Sequence, residues 1–297
     1  MEERTIVDSY GIDVSTRWWP LEEPRAMVLI SHGASEHSGR YDRFARALNA
    51  AGLAAAALDH RGHGHTAPAA QRGVMGAGGG KAVIDDLHGL RAAARSAVGD
   101  DLPMFLFGHS MGTLIGLGYL AEHADGLAGA VLCGMPVDID DTDSLAELLA
   151  AAAEGGLRDA PVGALNDNAV GDEPRTAFDW LSRDDAEVDR YLADPMCGDG
   201  NPLTYGYLID LFEVVAPARD ALGSIDCPLL VIAGDHDPAA GMGAHATSLT
   251  DALTAAGCTV DLRLYEGARH ELLNETNREE VTRDLVHWFR ATCNASN

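Results

Sequence analysis

Lysine is nearly absent from this chain. Lys81 is the only one in 297 residues, and the 21 basic side chains face 46 acidic ones, for a formal net charge of −25. A surface of that sign repels phosphate backbones and anionic headgroups, which argues against nucleic acid and against electrostatic attachment to membranes. Scarce lysine beside abundant alanine reads as genome composition, and the acidity as solubility. Paired cysteines are also missing. Cys133, Cys197, Cys227, Cys258 and Cys293 are scattered, odd in number and contain no C-x-x-C. This speaks against a disulfide framework and for a reduced, cytoplasmic protein. No run of eighteen apolar residues occurs, so no spanning helix and no stable membrane insertion is expected. The start, Met1-Glu2-Glu3-Arg4-Thr5, is charged and has no apolar h-region, so no secretory signal is expected.

Hydrophobic residues nevertheless make up 46% of the chain, enough to bury a sizeable core in one large domain with an insertion or in two small ones. Strand and helix signals alternate in two blocks. Ile12 to Trp19 alternates like an edge strand, and Ala26 to Ser31, Leu53 to Leu58, Met104 to Phe107 and Ala128 to Cys133 are short apolar runs. Helical spacing separates them at Tyr41 to Ala51, Ala82 to Val98 and Met111 to Ala121. The alternation returns at Leu229 to Ala233, Ala244 to Ala256 and Val260 to Tyr265. A last helix is expected to open on Thr276-x-x-Glu279 and run to about Thr292. Continuous apolar strands alternating with helices predict an α/β fold, a parallel sheet covered on both faces, with ligands at the carboxyl ends of the strands.

Between the blocks the rhythm breaks. Residues 136–223 are rich in Asp, Gly and Asn and read as a cap inserted between core segments 1–135 and 224–297. Ser144-x-x-Glu147 predicts a capping box opening a helix over Leu145 to Ala153. Leu208, Leu211, Phe212 and Val215 share one helical face, which either lines a substrate pocket or packs the cap on the core.

Gly108-His109-Ser110-Met111-Gly112 is a G-x-S-x-G between a strand and a helix. The pattern alone is weak. In that context, a sharp turn lifts the serine hydroxyl clear of the sheet, and the first amide of the helix faces the same space. A serine needs a base, and the base needs a carboxylate that sets its tautomer. Both should follow in loops at later strand ends. His270, after the last strand, is the expected base. Two acids compete in Gly234-Asp235-His236-Asp237-Pro238. Asp237 lies deeper in the loop and precedes proline, which favours it; Asp235 is nearer the strand and can bond turn backbone instead. An oxyanion hole needs a second amide, and His32-Gly33-Ala34 at an earlier strand end offers that of Ala34 beside that of Met111.

The loop from Asp59 to Thr66 holds His60, His63 and His65, and a zinc-dependent hydrolase is the rival it raises. The H-x-x-H-x-H spacing does not match a compact helical site, so a hydrogen-bonded turn bracing the site, without metal, is preferred. The acidic run Asp138 to Asp143 lacks the glycine and closing glutamate of a calcium loop and reads as a solvated helix start. A non-catalytic small-molecule receptor is a further rival, but a receptor has no use for a nucleophile. Peptidase or haloperoxidase chemistry is a rival within the fold.

Taken together these residues resemble the monoacylglycerol lipases and the bacterial hydrolases known as lysophospholipase-like. The resemblance rests on His32 to Tyr41, Asp59 to Gly64, Gly108 to Gly112, Phe178 to Asp184, Gly234-x-x-Asp237, Arg269-His270-Glu271 and Gly267 to Glu275. It implies an α/β-hydrolase fold, a mostly parallel eight-stranded sheet with a helical cap after the sixth strand. It implies cofactor-free hydrolysis of a small-molecule carboxylic ester, monoacylglycerol-like or lysophospholipid-like, with a short-chain carboxylesterase as the alternative. It supports Ser110, Asp237 and His270 as the triad and Ala34 and Met111 as the oxyanion hole. Leu208, Leu211 and Phe212 are the expected substrate contacts. One departure from that family is a cap with few large apolar residues and many aspartates.

Overall fold

Strands apolar on both sides must be covered on both sides. Five strands here have every residue buried: β3 (Ala26–Ser31), β4 (Leu53–Leu58), β5 (Met104–His109), β6 (Gly129–Cys133) and β7 (Leu229–Gly234). The computed structural model describes residues 1–162 and 174–295. Adding β1 (Glu2–Val7), β2 (Asp13–Trp19) and β8 (Val260–Tyr265) gives an eight-stranded sheet in the order β1-β2-β4-β3-β5-β6-β7-β8. The β1–β2 and β2–β4 pairs are antiparallel, and every other pair is parallel.

Alternate residues of each strand feed two cores. Met27, Leu29, Met104 and Leu106 face one layer with α2 (Gly79–Val98), α3 (Met111–His123), α6 (Tyr205–Asp220) and α7 (Ala244–Ala255). Val28, Ile30, Phe105 and Phe107 face the other, under α1 (Asp42–Ala50) and α8 (Arg278–Ala295). Parallel register brings the carboxyl ends of the strands to one edge, with Ser31 beside Gly108 and Gly234 beside Tyr265. His32, Asp59, Ser110, Asp237 and His270 all follow those ends. No helix among the described residues is long and apolar enough to cross a membrane, and no disulfide joins the cysteines among them.

Three local expectations need correction. The first residues are a strand, not merely a charged start. β1 pairs along β2, so β2 is not the edge. Exposure on both sides hides β1 from any hydrophobic alternation. The two outer strands carry charge, Glu2, Glu3 and Arg4 on one and Asp261 and Arg263 on the other, which discourages pairing with other chains. Second, the Ser144-x-x-Glu147 box does not form. α4 (Thr142–Glu154) begins two residues before Ser144, behind a short turn that Asp138 caps through the Asp140 amide at 3.0 Å. Third, the last helix starts at Arg278, and the side-chain pair at its start is Asn277 with Glu280 at 3.2 Å rather than Thr276 with Glu279.

Between β6 and β7 the described residues form α4, α5 (Asp185–Ala193) and α6. Part of the expected cap, 163–173, lies outside the described residues. α6 packs on α2 and α3 as well as on α4, so it belongs to the core as much as to a cap.

Arg61, 1% exposed, ties the N-terminal hairpin to α2. Its guanidinium bonds Asp86 at 2.7 Å, Asp8, and the Ala77 carbonyl at 2.8 Å. Arg61→Leu leaves the buried Asp86 carboxylate unpaired and Asp8 with only the Tyr10 and Ile12 amides, and should cost about 3–5 kcal/mol in urea unfolding. Burial pushes Asp86 up to about 6, against the pull of Arg61. Its folded value therefore exceeds its unfolded one, and the stability it contributes is lost as pH rises through 6. Without Arg61 the carboxyl is held higher still. The deficit of the variant should accordingly be larger at neutral pH than in mild acid, where a proton replaces the missing partner.

Candidate active site

β5 ends at His109 and α3 begins at Met111, leaving one residue to turn the chain. Ser110 takes φ 53° and ψ −117°, a conformation costing about 1–3 kcal/mol in a non-glycine residue. The surroundings fix it. Its amide donates to the Cys133 carbonyl at 2.8 Å, and the Thr113 hydroxyl reaches the carbonyls of Gly108 and Cys133 at 3.0 and 2.8 Å. The flanking glycines are required by close approach. A Cβ on Gly108 would lie 2.4 Å from the Gly112 oxygen, and one on Gly112 would lie 2.0 Å from the Ser31 oxygen.

His270 is buried, and its Nδ1 donates to Asp237 Oδ2 at 2.7 Å. The other Asp237 oxygen accepts the amides of Ala239 and Ala240 at 2.9 and 3.2 Å. Nε2 of His270 is thereby left as the acceptor. Asp235 instead receives the Gly267 amide at 2.6 Å and the His236 ring at 2.7 Å, bracing the turn away from His270. Ser110, His270, Ala34 and Met111 line one cavity of about 440 Å³. Among the described residues no hydrogen bond joins Ser110 to His270 in this resting geometry; such bonds commonly close only around substrate. The amides of Ala34 and Met111 have no acceptor among the described residues.

The segment carrying Ala34 is held from two sides. Ser35, at φ 55°, donates its amide to His63 Nε2 at 3.2 Å, and its carbonyl accepts the Tyr191 hydroxyl and the Gly198 amide, both at 3.0 Å. His63 Nδ1 in turn donates to the Arg61 carbonyl at 2.9 Å. His32 donates to its neighbour Gly33 at 2.7 Å and accepts the His60 amide at 3.0 Å. Burial pushes His32 and His60 down, and takes His63 to about 3. Their bonds fix neutral rings whose lone pairs on His32 and His63 already accept amides, so this loop braces the segment carrying Ala34 rather than offering metal ligands. His65 is exposed and contributes its backbone amide to Asp59 at 2.8 Å. A different group, His37, Asp194 and Cys197, brings its donor atoms within 4.8 Å of one another. There His37 Nε2 bonds Asp194 at 2.9 Å and its Nδ1 accepts the Gly39 amide, which is the geometry of a latch between the two segments. The Asp138 to Asp143 run caps its own turn and pairs with Arg219, at 3.0 Å from both Asp140 and Asp143.

Leu208, Leu211 and Phe212 line the cavity, and Leu211 and Phe212 are at the same time part of the main core. Leu145, Phe178 and Trp180 of the intervening segment join them in the wall, while others of its large apolar residues, such as Leu149 and Val215, pack in the main core. Sequence reasoning did not single out Trp180, whose ring centroid lies 5.0 Å from that of His270. Nor did it find the cluster beside His270 formed by Arg40 with the buried Glu36, His109 and Glu271. Glu36 and Arg40 are four residues apart in the segment after β3 and Glu271 adjoins His270, but nothing in a single sequence marks a charge as buried.

A family profile described as "Serine aminopeptidase, S33" matches residues 22–277. The chain is 33% identical to a monoacylglycerol lipase of Mycolicibacterium smegmatis over 282 residues, 92% of this chain and 90% of that one. It is 32% identical to the human monoglyceride lipase over 294 residues, covering 95% and 87%. Among solved structures, a thermostable carboxyl esterase from Bacillus coagulans in complex with glycerol superposes with a TM-score of 0.88 at 29% identity, covering 98% of each chain. Fold, strand-end site and relatives agree: the chain belongs to this α/β-hydrolase family and is an esterase/lipase-like hydrolase related to the monoacylglycerol lipases.

Proposed function

We propose that the protein is a serine carboxylic-ester hydrolase acting on monoacylglycerol-like esters. The observation that carries the reading is the 2.7 Å bond between Asp237 and His270, whose ring shares the wall of one cavity with Ser110 on its strained turn. Ser110 Oγ attacks the ester carbonyl carbon and its proton passes to His270 Nε2. Asp237 stabilises the imidazolium, and the Ala34 and Met111 amides hold the oxyanion. As the intermediate collapses, the carbon–oxygen bond to the alcohol breaks and His270 returns the proton to the leaving oxygen. Water, deprotonated by the same ring, then attacks the acyl carbon; its bond to Ser110 Oγ breaks, His270 returns the proton to that oxygen, and the acid leaves.

The names of the relatives support a glycerol ester, and the glycerol in the Bacillus coagulans esterase supports a small polyol as the alcohol. The apolar wall suits an acyl chain. The test is a panel of monoacylglycerols, lysophospholipids and short esters ranked by kcat/KM. Monoacylglycerols are expected to lead; short esters leading would assign a short-chain carboxylesterase instead. Leu208→Trp fills part of the cavity. It should lower kcat/KM for a palmitoyl ester by about tenfold while changing a butyryl ester little.

A further inference from the structure

We infer that His109 is a fixed imidazolium, the second cation of a closed buried quartet with Glu36, Arg40 and Glu271, and that it positions His270 by donating to its carbonyl. The ring lies between two groups that only accept. Nδ1 is 3.3 Å from Glu36 Oε1 and Nε2 is 3.2 Å from the His270 oxygen. Each contact needs an N–H, and a neutral imidazole has one.

Glu36 is held as the anion by its other donors: the Gly33 amide at 2.6 Å, the Tyr41 hydroxyl at 2.8 Å and Arg40 at 2.7 Å. Glu271 places both oxygens on Arg40, at 2.5 and 2.7 Å, and also accepts the Asn274 amide at 2.9 Å. Two carboxylates thus share one guanidinium. Glu36, Glu271 and His109 are 3%, 5% and 7% exposed, so solvent does little to neutralise a surplus charge. Without a proton on His109 the group would carry an uncompensated −1, which an interior tolerates poorly.

The other titratable neighbours supply no cation. Tyr41 and Cys133 are held neutral, pushed well above their usual ranges first by burial. Burial likewise pushes the Tyr191 hydroxyl and the Cys197 thiol up and the His32, His60 and His63 rings down, so none of these is charged, and His270 has Asp237 behind it. For His109 itself, burial works against the charge, but Glu36, Glu271 and the His270 carbonyl together raise it. Burial likewise opposes the Glu36 anion, and Arg40 and His109 outweigh it, holding it well below the usual range.

The consequence is a positive charge one residue from Ser110 and a clamp on the loop of the base. The His270 backbone is gripped at both polar atoms, its oxygen by His109 and by the Leu272 amide, each at 3.2 Å, and its amide by the Trp180 carbonyl at 3.4 Å. The positioning role rests on the proposed ester hydrolysis; the charge state does not.

The test is nitrogen-15 NMR of histidine-labelled full-length protein without substrate. His109 is assigned by the loss of its signals in His109→Gln or, if that variant does not fold, by its contact with the His270 ring. Both ring nitrogens should stay protonated as the pH rises through neutrality to about 8, where a free imidazole has lost its proton. In Glu36→Gln one carboxylate faces one guanidinium, and one His109 N–H should be lost within that range. His109→Gln should lower kcat by about ten- to a hundredfold with little change in KM. A bare ring nitrogen in the native protein at neutral pH, or a Glu36→Gln protein whose His109 keeps both protons throughout, overturns the charge assignment. An unchanged kcat in His109→Gln overturns the positioning role. If Glu36→Gln does not fold, the native spectrum alone decides. A native protein inactive on every ester would sink the proposed function and leave the NMR result standing.

Discussion

Ser110→Ala is expected to lower kcat on a monoacylglycerol by several orders of magnitude, on the order of 10⁶ by analogy with another serine hydrolase. The hydroxyl is the only atom removed. No hydrogen bond to another group depends on it among the described residues, and the turn is held by backbone, Thr113 and two glycines. Stability in urea should therefore stay within about 0.5 kcal/mol of the native value. KM should change little, because the cavity wall and the Ala34 and Met111 amides remain. Residual turnover above the uncatalysed rate would reflect those amides and substrate binding. A folded variant with native turnover would remove Ser110 from the chemistry altogether.

Asp237→Asn should have the next largest effect, about 10⁴ in kcat. An amide in place of Oδ2 can present N–H to His270 Nδ1, which then keeps its lone pair there and carries its proton on Nε2, facing Ser110. The base is then in the wrong tautomer while its position is nearly unchanged. Asp235→Asn is the control in the same loop. Its carboxylate ties Gly267 and His236, not His270, so only a small change in kcat is expected. Steady-state kinetics on both variants check the pair. A large loss at position 235 with a small one at 237 would reverse the assignment.

Much of this site was legible because its chemistry is written in local patterns. Five buried strands are short apolar runs, and Ser110 sits in a motif whose glycines are forced by contacts with Ser31 and Gly112. Depth in the loop favoured Asp237, the acid whose carboxylate bonds His270, over Asp235, which bonds the turn. The less visible parts depend on tertiary context. β1 shows solvent on both faces and so has no apolar period. The two misplaced helix starts share one cause, since Ser, Thr, Asp and Asn are dense around each and the backbone chose a neighbouring cap. Glu36, Arg40, His109 and Glu271 meet across the segment after β3, the end of β5 and the loop after β8, a relation between segments far apart in sequence. The intervening segment looks polar by composition because its aspartates cap and pair at the surface, while a few residues such as Phe178, Trp180 and Phe212 turn into the cavity.

The central claim is that His270, oriented by Asp237, makes the Ser110 hydroxyl a nucleophile. Its most direct test is stoichiometric labelling with a fluorophosphonate, followed by peptide mass spectrometry of native and His270→Gln protein. One phosphonyl group on Ser110 of the native chain, accompanied by complete loss of esterase activity and slowed greatly in the His270 variant, is the expected result. Full esterase activity after exposure to the reagent, or a label carried on another residue while Ser110 stays unmodified, would contradict it.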